Sequence, residues 1–271
     1  MLELPEVINM AKQLNQYAVG KTVAEVLPPT KQHKFCWFNG DVNEYDKLLC
    51  GAVVTDVVGF GLYVEMVFDN GKRLCVNDGV NIRLCRDQDV PKDFQLLIKL
   101  EADSSLVFTV AMYGGIVLHA GDYDNEYYKK SKLALSPFDD SFRSYFYRLL
   151  DTSKQNLSAK AFLATEQRFP GIGNGVLQDI LFVAGIHPRR KIGSMNDDER
   201  EVLFNSTIKV LKQMTDNGGR DTEKDLYCKT CGYKTILSKN TLSWPCPKCG
   251  EAIQKEAYLG GAVYFCPECQ K

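Results

Sequence analysis

Residues 246–269 read CPKCGEAIQKEAYLGGAVYFCPEC, two Cys-x-x-Cys knuckles separated by sixteen residues. Four thiolates at this spacing are the donor set of a structural zinc, each knuckle bending the backbone so that both sulfurs face one point. Cys246, Cys249, Cys266 and Cys269 are therefore expected to hold one Zn ion in tetrahedral geometry. Between the knuckles, residues 252–258 and 262–265 have strand-like composition, and Leu259-Gly260-Gly261 supplies a turn. The pattern predicts a β-hairpin clamped at its base by metal. So small a unit buries no core of its own and is expected to fold only with the ion bound.

A third pair, Cys228 and Cys231, with fourteen residues between it and Cys246, could compete for metal with the later ones, although those four already saturate one tetrahedral ion. Cys36, Cys50, Cys75 and Cys85 are scattered through strand-like sequence and read as small core residues. Six of ten cysteines in Cys-x-x-Cys pairs, with no apolar signal segment, point to metal in a reducing compartment rather than to disulfides. No run of some eighteen apolar residues occurs, so no membrane span is expected. Charge is nearly balanced, 33 Lys+Arg against 34 Asp+Glu, which excludes a disordered basic tail but not a local basic patch. Residues 1–150 hold 16 basic and 20 acidic side chains and residues 151–271 hold 17 and 14, so the second half is modestly positive.

Upstream, the organisation changes twice. Val7, Ile8, Ala11, Leu14 and Ala18 recur at helical spacing after Pro5, with Gly20 at the C-terminal cap position. Glu3 and Glu6 sit at the start of this helix, where carboxylates complement the dipole. From residue 21 to about 119 the period becomes two, with strands expected near 52–58, 62–68, 74–76, 94–100 and 106–112 and an Asp69-Asn70-Gly71 hairpin turn. The polar, tyrosine-rich stretch 122–137 reads as a linker between domains. Helices are expected over 141–150, 159–169, 174–184 and 197–215, the last entered through a capping box at Ser194-Met195-Asn196-Asp197. In Pro170-Gly171-Ile172-Gly173-Asn174 the glycines allow a tight turn, Asn174 is placed to cap the next helix, and the exposed N–H groups form an anion site ready for a phosphate.

Three stretches together resemble the formamidopyrimidine-DNA glycosylase and endonuclease VIII family of base-excision repair enzymes. They are Glu3-Leu4-Pro5-Glu6, against the family's MPELPE; QRFPGIGNGVLQDILFVAGIHP at 167–188, which looks like its helix–two-turn–helix; and the terminal finger ending FCPECQ. Their order spans the chain. The resemblance implies an α+β multidomain fold: an antiparallel β-sandwich with an N-terminal helix (1–121), a linker (122–137), a helix–two-turn–helix domain (138–222) and a zinc finger (223–271). It also implies a cleft for double-stranded DNA, with lesions or abasic sites, between sandwich and helical domain. Asn174 matches the family's phosphate-contacting Asn, flanked by Gly171 and Gly173; Lys160, Arg168, Arg189, Arg190 and Lys191 are further phosphate candidates. A monomer is expected, with no membrane association, inside the cell and, in a bacterium, in the cytoplasm at the nucleoid.

In the family a proline amine, exposed by loss of Met, attacks C1′ of an extruded damaged nucleotide, and the neighbouring Glu moves protons. Here Leu2 stands at the proline position, and its bulk disfavours removal of Met1. Glu3 and Glu6 match the family's carboxylates, and the Met1 amine is the remaining candidate nucleophile. Leu62 replaces the Lys of the family's GKYL, Gly261 the finger Arg, residues 110–115 (VAMYGG) the DPRRFG loop, and Val80 the other wedge. The expectation is a DNA-binding relative with lost or altered catalysis. The alternatives are a working glycosylase or abasic-site lyase using Met1 or Glu3, and a structural or protein-interaction module.

Overall fold

The computed structural model describes residues 2–101 and 103–271. Helix α1, Leu4–Ala18, buries Val7, Met10, Ala11, Leu14 and Ala18 along one stripe, as the periodicity predicts. The following strands are β1 (Glu25–Leu27), β2 (Cys36–Phe38), β3 (Val54–Phe60), β4 (Tyr63–Phe68), β5 (Arg73–Asn77), β6 (Val80–Arg86), β7 (Leu96–Glu101), β8 (Ser104–Val110) and β9 (Gly114–His119), with helix α2 (Tyr45–Leu49) between β2 and β3. They form two sheets, ordered β1-β7-β8-β6 and β2-β9-β5-β4-β3. Pairing is antiparallel except between β2 and β9, which run parallel. Alternate residues face the space between the sheets: Val64, Met66 and Phe68 from one side, Leu96, Ile98, Leu106 and Phe108 from the other. Strands β6 and β9 were less legible because Arg83 and Arg86 interrupt one and Gly114-Gly115 opens the other.

The linker stretch contains a helix, α3 (Glu126–Leu133), capped by the Asn125 side chain, which accepts from the Tyr128 N–H. It covers the outer face of the second sheet through Glu65, a fully buried carboxylate on β4. Arg73 Nη1 at 2.9 Å, Lys132 Nζ at 3.0 Å and the Tyr128 hydroxyl donate to it, and His119 Nε2 lies 3.4 Å away. Burial alone would raise the Glu65 pKa, but the bonds from His119, Tyr128 and Lys132 overcome it and bring it to about 2. Glu65 lies close to Cys75 and His119, and its carboxylate is already paired with two cations, Arg73 and Lys132. Because this pKa is depressed on folding, the stability it contributes is present above the ordinary carboxylate value of about 4.3 and is lost as pH falls toward 2. Acid titration of unfolding free energy is expected to show a loss of roughly 3 kcal/mol across that window that is absent in Glu65→Gln. Identical acid profiles for the two proteins would refute it.

The second half holds α4 (Phe142–Thr152), α5 (Ala159–Ala164), α6 (Val176–Ala184) and α7 (Asp197–Asp216). Helix α5 ends five residues before the expected boundary because Glu166 and Gln167 take left-handed φ of 58° and 54°. The capping box of α7 is made by Asn196 and Glu199 rather than from Ser194. Phe146 centres an aromatic core, its ring 5.4 Å from Phe162, 5.2 Å from Phe169 and 5.4 Å from Phe204. Leu2 packs in the sandwich core and Leu4 in the helical core, so the start of the chain is shared between the two halves. Leu226, downstream of the helices, returns to the sandwich core. The chain closes with the hairpin β10 (Gln254–Tyr258) and β11 (Gly261–Phe265), in the register Tyr258↔Gly261 to Gln254↔Phe265. Among the described residues no helix is long and apolar enough to cross a membrane.

Candidate functional site

The turn 170–175, ahead of α6, is where sequence reasoning placed an open anion site. The structure fills it from within. The Glu3 carboxylate, 3% exposed, accepts from the N–H groups of Gly173 at 3.3 Å, Gly175 at 2.8 Å and Val176 at 2.7 Å. Asn174 therefore does not cap α6; an acid from 170 residues away occupies the helix start, where N–H groups and dipole both favour negative charge. The glycines are required by close approach: a Cβ on Gly173 would stand 2.7 Å from the Glu3 carboxylate, and one on Gly171 would stand 2.7 Å from the Gly61 carbonyl oxygen. Arg220 Nη1 lies 3.4 Å from Glu3, and its Nη2 donates to Glu6 at 2.8 Å. Its own N–H and Nε also donate to Glu6, which reaches back to the Glu3 N–H at 3.2 Å. Burial raises the Glu3 pKa, with Arg220 and the backbone bonds opposing. Arg220 was not singled out from the sequence, since nothing local in Gly218-Gly219-Arg220 indicates a partner more than 200 residues away.

The four knuckle sulfurs converge. Cys246 and Cys269 Sγ are 3.8 Å apart, Cys249 and Cys266 Sγ 3.5 Å, and all four lie within 4.8 Å of one another. A tetrahedral metal with Zn–S bonds of about 2.3 Å sets its sulfurs about 3.8 Å apart, so the donor set fits. The backbone N–H of Lys248 donates to Cys246 Sγ and that of Cys269 to Cys266 Sγ, both at 3.4 Å, which favours the thiolate form a metal needs. Cys228 is exposed and Cys231 buried, and neither joins this cluster. Of the other cysteines, Cys75 is buried, Cys36 and Cys85 are half-buried, and Cys50 is exposed.

The hairpin is fixed against α6. Gln178 donates to the Ala262 carbonyl at 2.9 Å and accepts from the Tyr264 N–H at 3.0 Å, pairing with the free edge of β11. Asn174 Nδ2 donates to the same carbonyl at 2.8 Å, and a Cβ on Gly261 would stand 3.2 Å from the Asn174 side chain. Asp179 accepts from the N–H groups of Ile236 at 2.9 Å and Leu237 at 2.8 Å, holding the chain that leads into the knuckles. The turn and the hairpin tip, separate in sequence, thus form one surface.

At the other side of the N-terminus a cavity of about 470 Å³ opens between sandwich, linker and the 166–167 turn. Leu62, Tyr63, Tyr113, Tyr127 and Gln167 contribute to its wall. Asp78, also in the wall, accepts from the Leu2 N–H through its carbonyl at 2.8 Å, which places the start of the chain beside it. Burial raises the Asp78 carboxyl pKa.

Over its full length the chain is similar to curated formamidopyrimidine-DNA glycosylases. It is 28% identical over 284 residues to that of Mycoplasmopsis pulmonis and 26% identical over 283 residues to that of Streptococcus pyogenes serotype M6, covering all of this chain and 98% and 99% of the relatives. No family model matches. Along its whole length the chain is thus similar to formamidopyrimidine-DNA glycosylases. A complex between the Lactococcus lactis Fpg and abasic-site DNA has the same fold, with a TM-score of 0.82 at 23% identity and 99% of both chains covered.

The family's positions fall unevenly. Met1 lies outside the described residues. Leu2 is 7% exposed, a core side chain and not an open group. Leu62 lines the cavity, while Val80 is 1% exposed and faces the sandwich core instead of acting as a wedge. Four of the five candidate cations are already engaged. Lys160 is buried and donates to the Tyr258 carbonyl at 2.6 Å. Arg168 donates to the Ala161 and Thr165 carbonyls and pairs with Glu166. Arg189 pairs with Glu256 at 3.0 Å and stacks 4.0 Å over Tyr258; Arg190 grips Glu199. Lys191 is exposed and makes no ion pair among the described residues.

Proposed function

We propose that this chain is a double-stranded DNA-binding member of the formamidopyrimidine-DNA glycosylase family that holds damaged or abasic sites without the family's amine-and-lysine cleavage chemistry, with zinc at its four terminal cysteines. The carrying observation is the cavity beside the N-terminus: among the described residues its wall has no cation, Leu62 stands at the lysine position, and its one charged residue is the acid Asp78. The described side chains of such a wall offer no cationic partner for the charge that develops on a leaving phosphate. Binding is supported by the surface shared by Asn174 and the hairpin tip, and by relatives whose name and solved complexes concern DNA. Glu3 belongs to this reading as a positioning group, since its carboxylate oxygens are committed to the α6 start and Arg220.

Duplex affinity is expected to fall steeply between 50 and 200 mM salt, as counterion release requires of phosphate contacts. Borohydride treatment of the protein with abasic duplex is expected to give no covalent adduct above that of a Glu3→Gln control. A strong adduct that disappears when the N-terminal amine is blocked would instead establish a lyase working from Met1. Absence of salt-dependent affinity for every duplex would remove nucleic acid from the function altogether.

A further inference from the structure

Cys228 and Cys231 stand apart from the four converging sulfurs, and each has different surroundings. Both lie in the segment that joins α7 to the finger. Cys231 is buried, and a Cβ on Gly219 would stand 3.3 Å from its Sγ. Burial, and then the charge of Glu6, push its thiol up to about 11. Cys228 is exposed at the tip of a turn. The Asp225 N–H donates to the Lys229 carbonyl at 2.9 Å, and the Cys228 N–H donates to the Asp225 carbonyl at 3.0 Å. The Asp225 carboxylate accepts from the N–H groups of Tyr227 at 3.0 Å and Lys229 at 2.8 Å, which fixes the tip. Cys228 itself has a left-handed φ of 61°, a conformation glycine adopts at lower cost.

That tip lies on the sandwich. The Leu84 N–H on β6 donates to the Leu226 carbonyl at 2.8 Å, and the Leu226 N–H donates to Gln13 Oε1 on α1 at 3.0 Å. A backbone bond of this kind sets two chains at strand spacing, about 4.8 Å. Chains so spaced offer Cα separations inside the range of about 4.4–6.8 Å that a disulfide requires. The next residue on β6 is Cys85. Leu84 packs on the core between the sheets, so Cys85 faces the other side, in the small cluster of Phe94, Leu97 and Val107. Burial raises the Cys85 pKa, and the charge that acts on it most strongly is that of Cys228, ahead of Arg83 and Asp89. A half-buried thiol beside an exposed one, on chains pinned to each other, is the arrangement of a reactive cysteine with a resolving partner.

We propose that Cys85 and Cys228 form a reversible disulfide when the protein meets a peroxide, fastening the segment between α7 and the finger to the sandwich. The exposed Cys228 thiolate attacks one peroxide oxygen: an S–O bond forms, the O–O bond breaks, and the second oxygen leaves as water after taking a proton. The Cys85 thiolate then attacks the Cys228 sulfur, so that an S–S bond forms, the S–O bond breaks, and a second water leaves. Two thiols give up two electrons and two protons, and the peroxide is reduced to two waters. Thiols of a reducing compartment reverse the bridge by exchange. Oxidation thus adds a covalent tie between the two halves to the buried one that Arg220 makes with Glu3 and Glu6.

The test treats the full-length zinc-loaded protein with hydrogen peroxide at doses that leave the zinc bound, then maps unreduced proteolytic peptides by mass. Expected are a linked peptide pair carrying Cys85 and Cys228, faster migration in a denaturing gel run without reductant, and a Tm raised by about 5–10 °C, all reversed by dithiothreitol. Cys85→Ser and Cys228→Ser are each expected to lose the gel shift and the Tm gain, whereas Cys231→Ser keeps both. The peptide map of the unsubstituted protein decides the matter even where a variant folds poorly. A bridge between Cys228 and Cys231, or Cys85 and Cys228 both still open to alkylation after the treatment, would overturn the proposal. So would a second equivalent of zinc that disappears in Cys228→Ser, since these thiols would then be metal ligands.

Discussion

Removal of the metal from Cys246, Cys249, Cys266 and Cys269 is expected to unfold hairpin β10–β11 and to abolish duplex affinity while the two larger cores stay folded. Beyond the bonds from Asn174, Gln178, Lys160 and Arg189, the hairpin has only a small apolar cluster to hold it. Its own buried side chains are Tyr264 and neighbours in a small cluster with Phe182 and Leu237, whereas the sandwich and the helical half each have a core several times larger. Structural zinc contributes on the order of 10–16 kcal/mol in finger peptides, far more than such a cluster provides. Loss of the hairpin also frees the Ala262 carbonyl that Asn174 and Gln178 share, so the surface formed by turn and tip dissolves with it. The measurement is chelator titration, following one equivalent of released zinc, proteolysis within residues 245–271 and duplex affinity together. A metal-free protein whose hairpin still resists protease would contradict the assignment. Cys266→Ser is expected to behave like the chelated protein.

Substitution of Arg220 has the second-largest expected effect. Its guanidinium, 3% exposed, stands between the buried carboxylates of Glu3 and Glu6. Removing one partner from a buried ionic group costs roughly 3–5 kcal/mol, because the charges left behind stay desolvated and unpaired. Arg220→Met is therefore expected to lose that much in urea unfolding, a large part of the 5–15 kcal/mol a domain commonly has. The triple variant with Glu3→Gln and Glu6→Gln is expected to recover part of the loss, since neutral amides leave no unpaired charge. Gly175→Ala should resemble Arg220→Met, as its Cβ would stand 1.5 Å from Arg220 Nη1 and must displace it. A loss below about 1 kcal/mol for Arg220→Met would show that the trio is not the tie described here.

At Glu3 the local reading and the tertiary contacts supply different partners. The motif Glu3-Leu4-Pro5-Glu6 marked two carboxylates, and local chemistry supplied one reason for them, the helix dipole of α1. The structure gives them partners on other elements: Glu3 serves the start of α6, and Glu6 serves Arg220 after α7. The phosphate site read from Pro170–Asn174 was likewise sound as local geometry, with N–H groups gathered at a helix start. What could not be read was that the chain carries its own anion to that place.

The sequence by itself determined the four-cysteine cluster, the division into a strand-rich and a helix-rich half, and most element positions, because each rests on spacing within a few residues. Cys-x-x-Cys geometry, period two and period 3.6 are properties of the local chain, and they survive without knowledge of distant contacts. Helix α3 escaped because its anchors, Tyr128 and Lys132, are satisfied by Glu65 on another element rather than by an apolar stripe of their own. Tertiary structure alone decided which polar groups are spent and which remain open. It engaged Lys160, Arg168, Arg189 and Arg190 with internal partners and buried Glu3. It also gathered Trp37, Tyr113 and Gln167, from three separate segments, around one cavity. The physical reason is that hydrogen-bond and charge satisfaction is settled by neighbours in space, which for these side chains lie tens to hundreds of residues away along the chain.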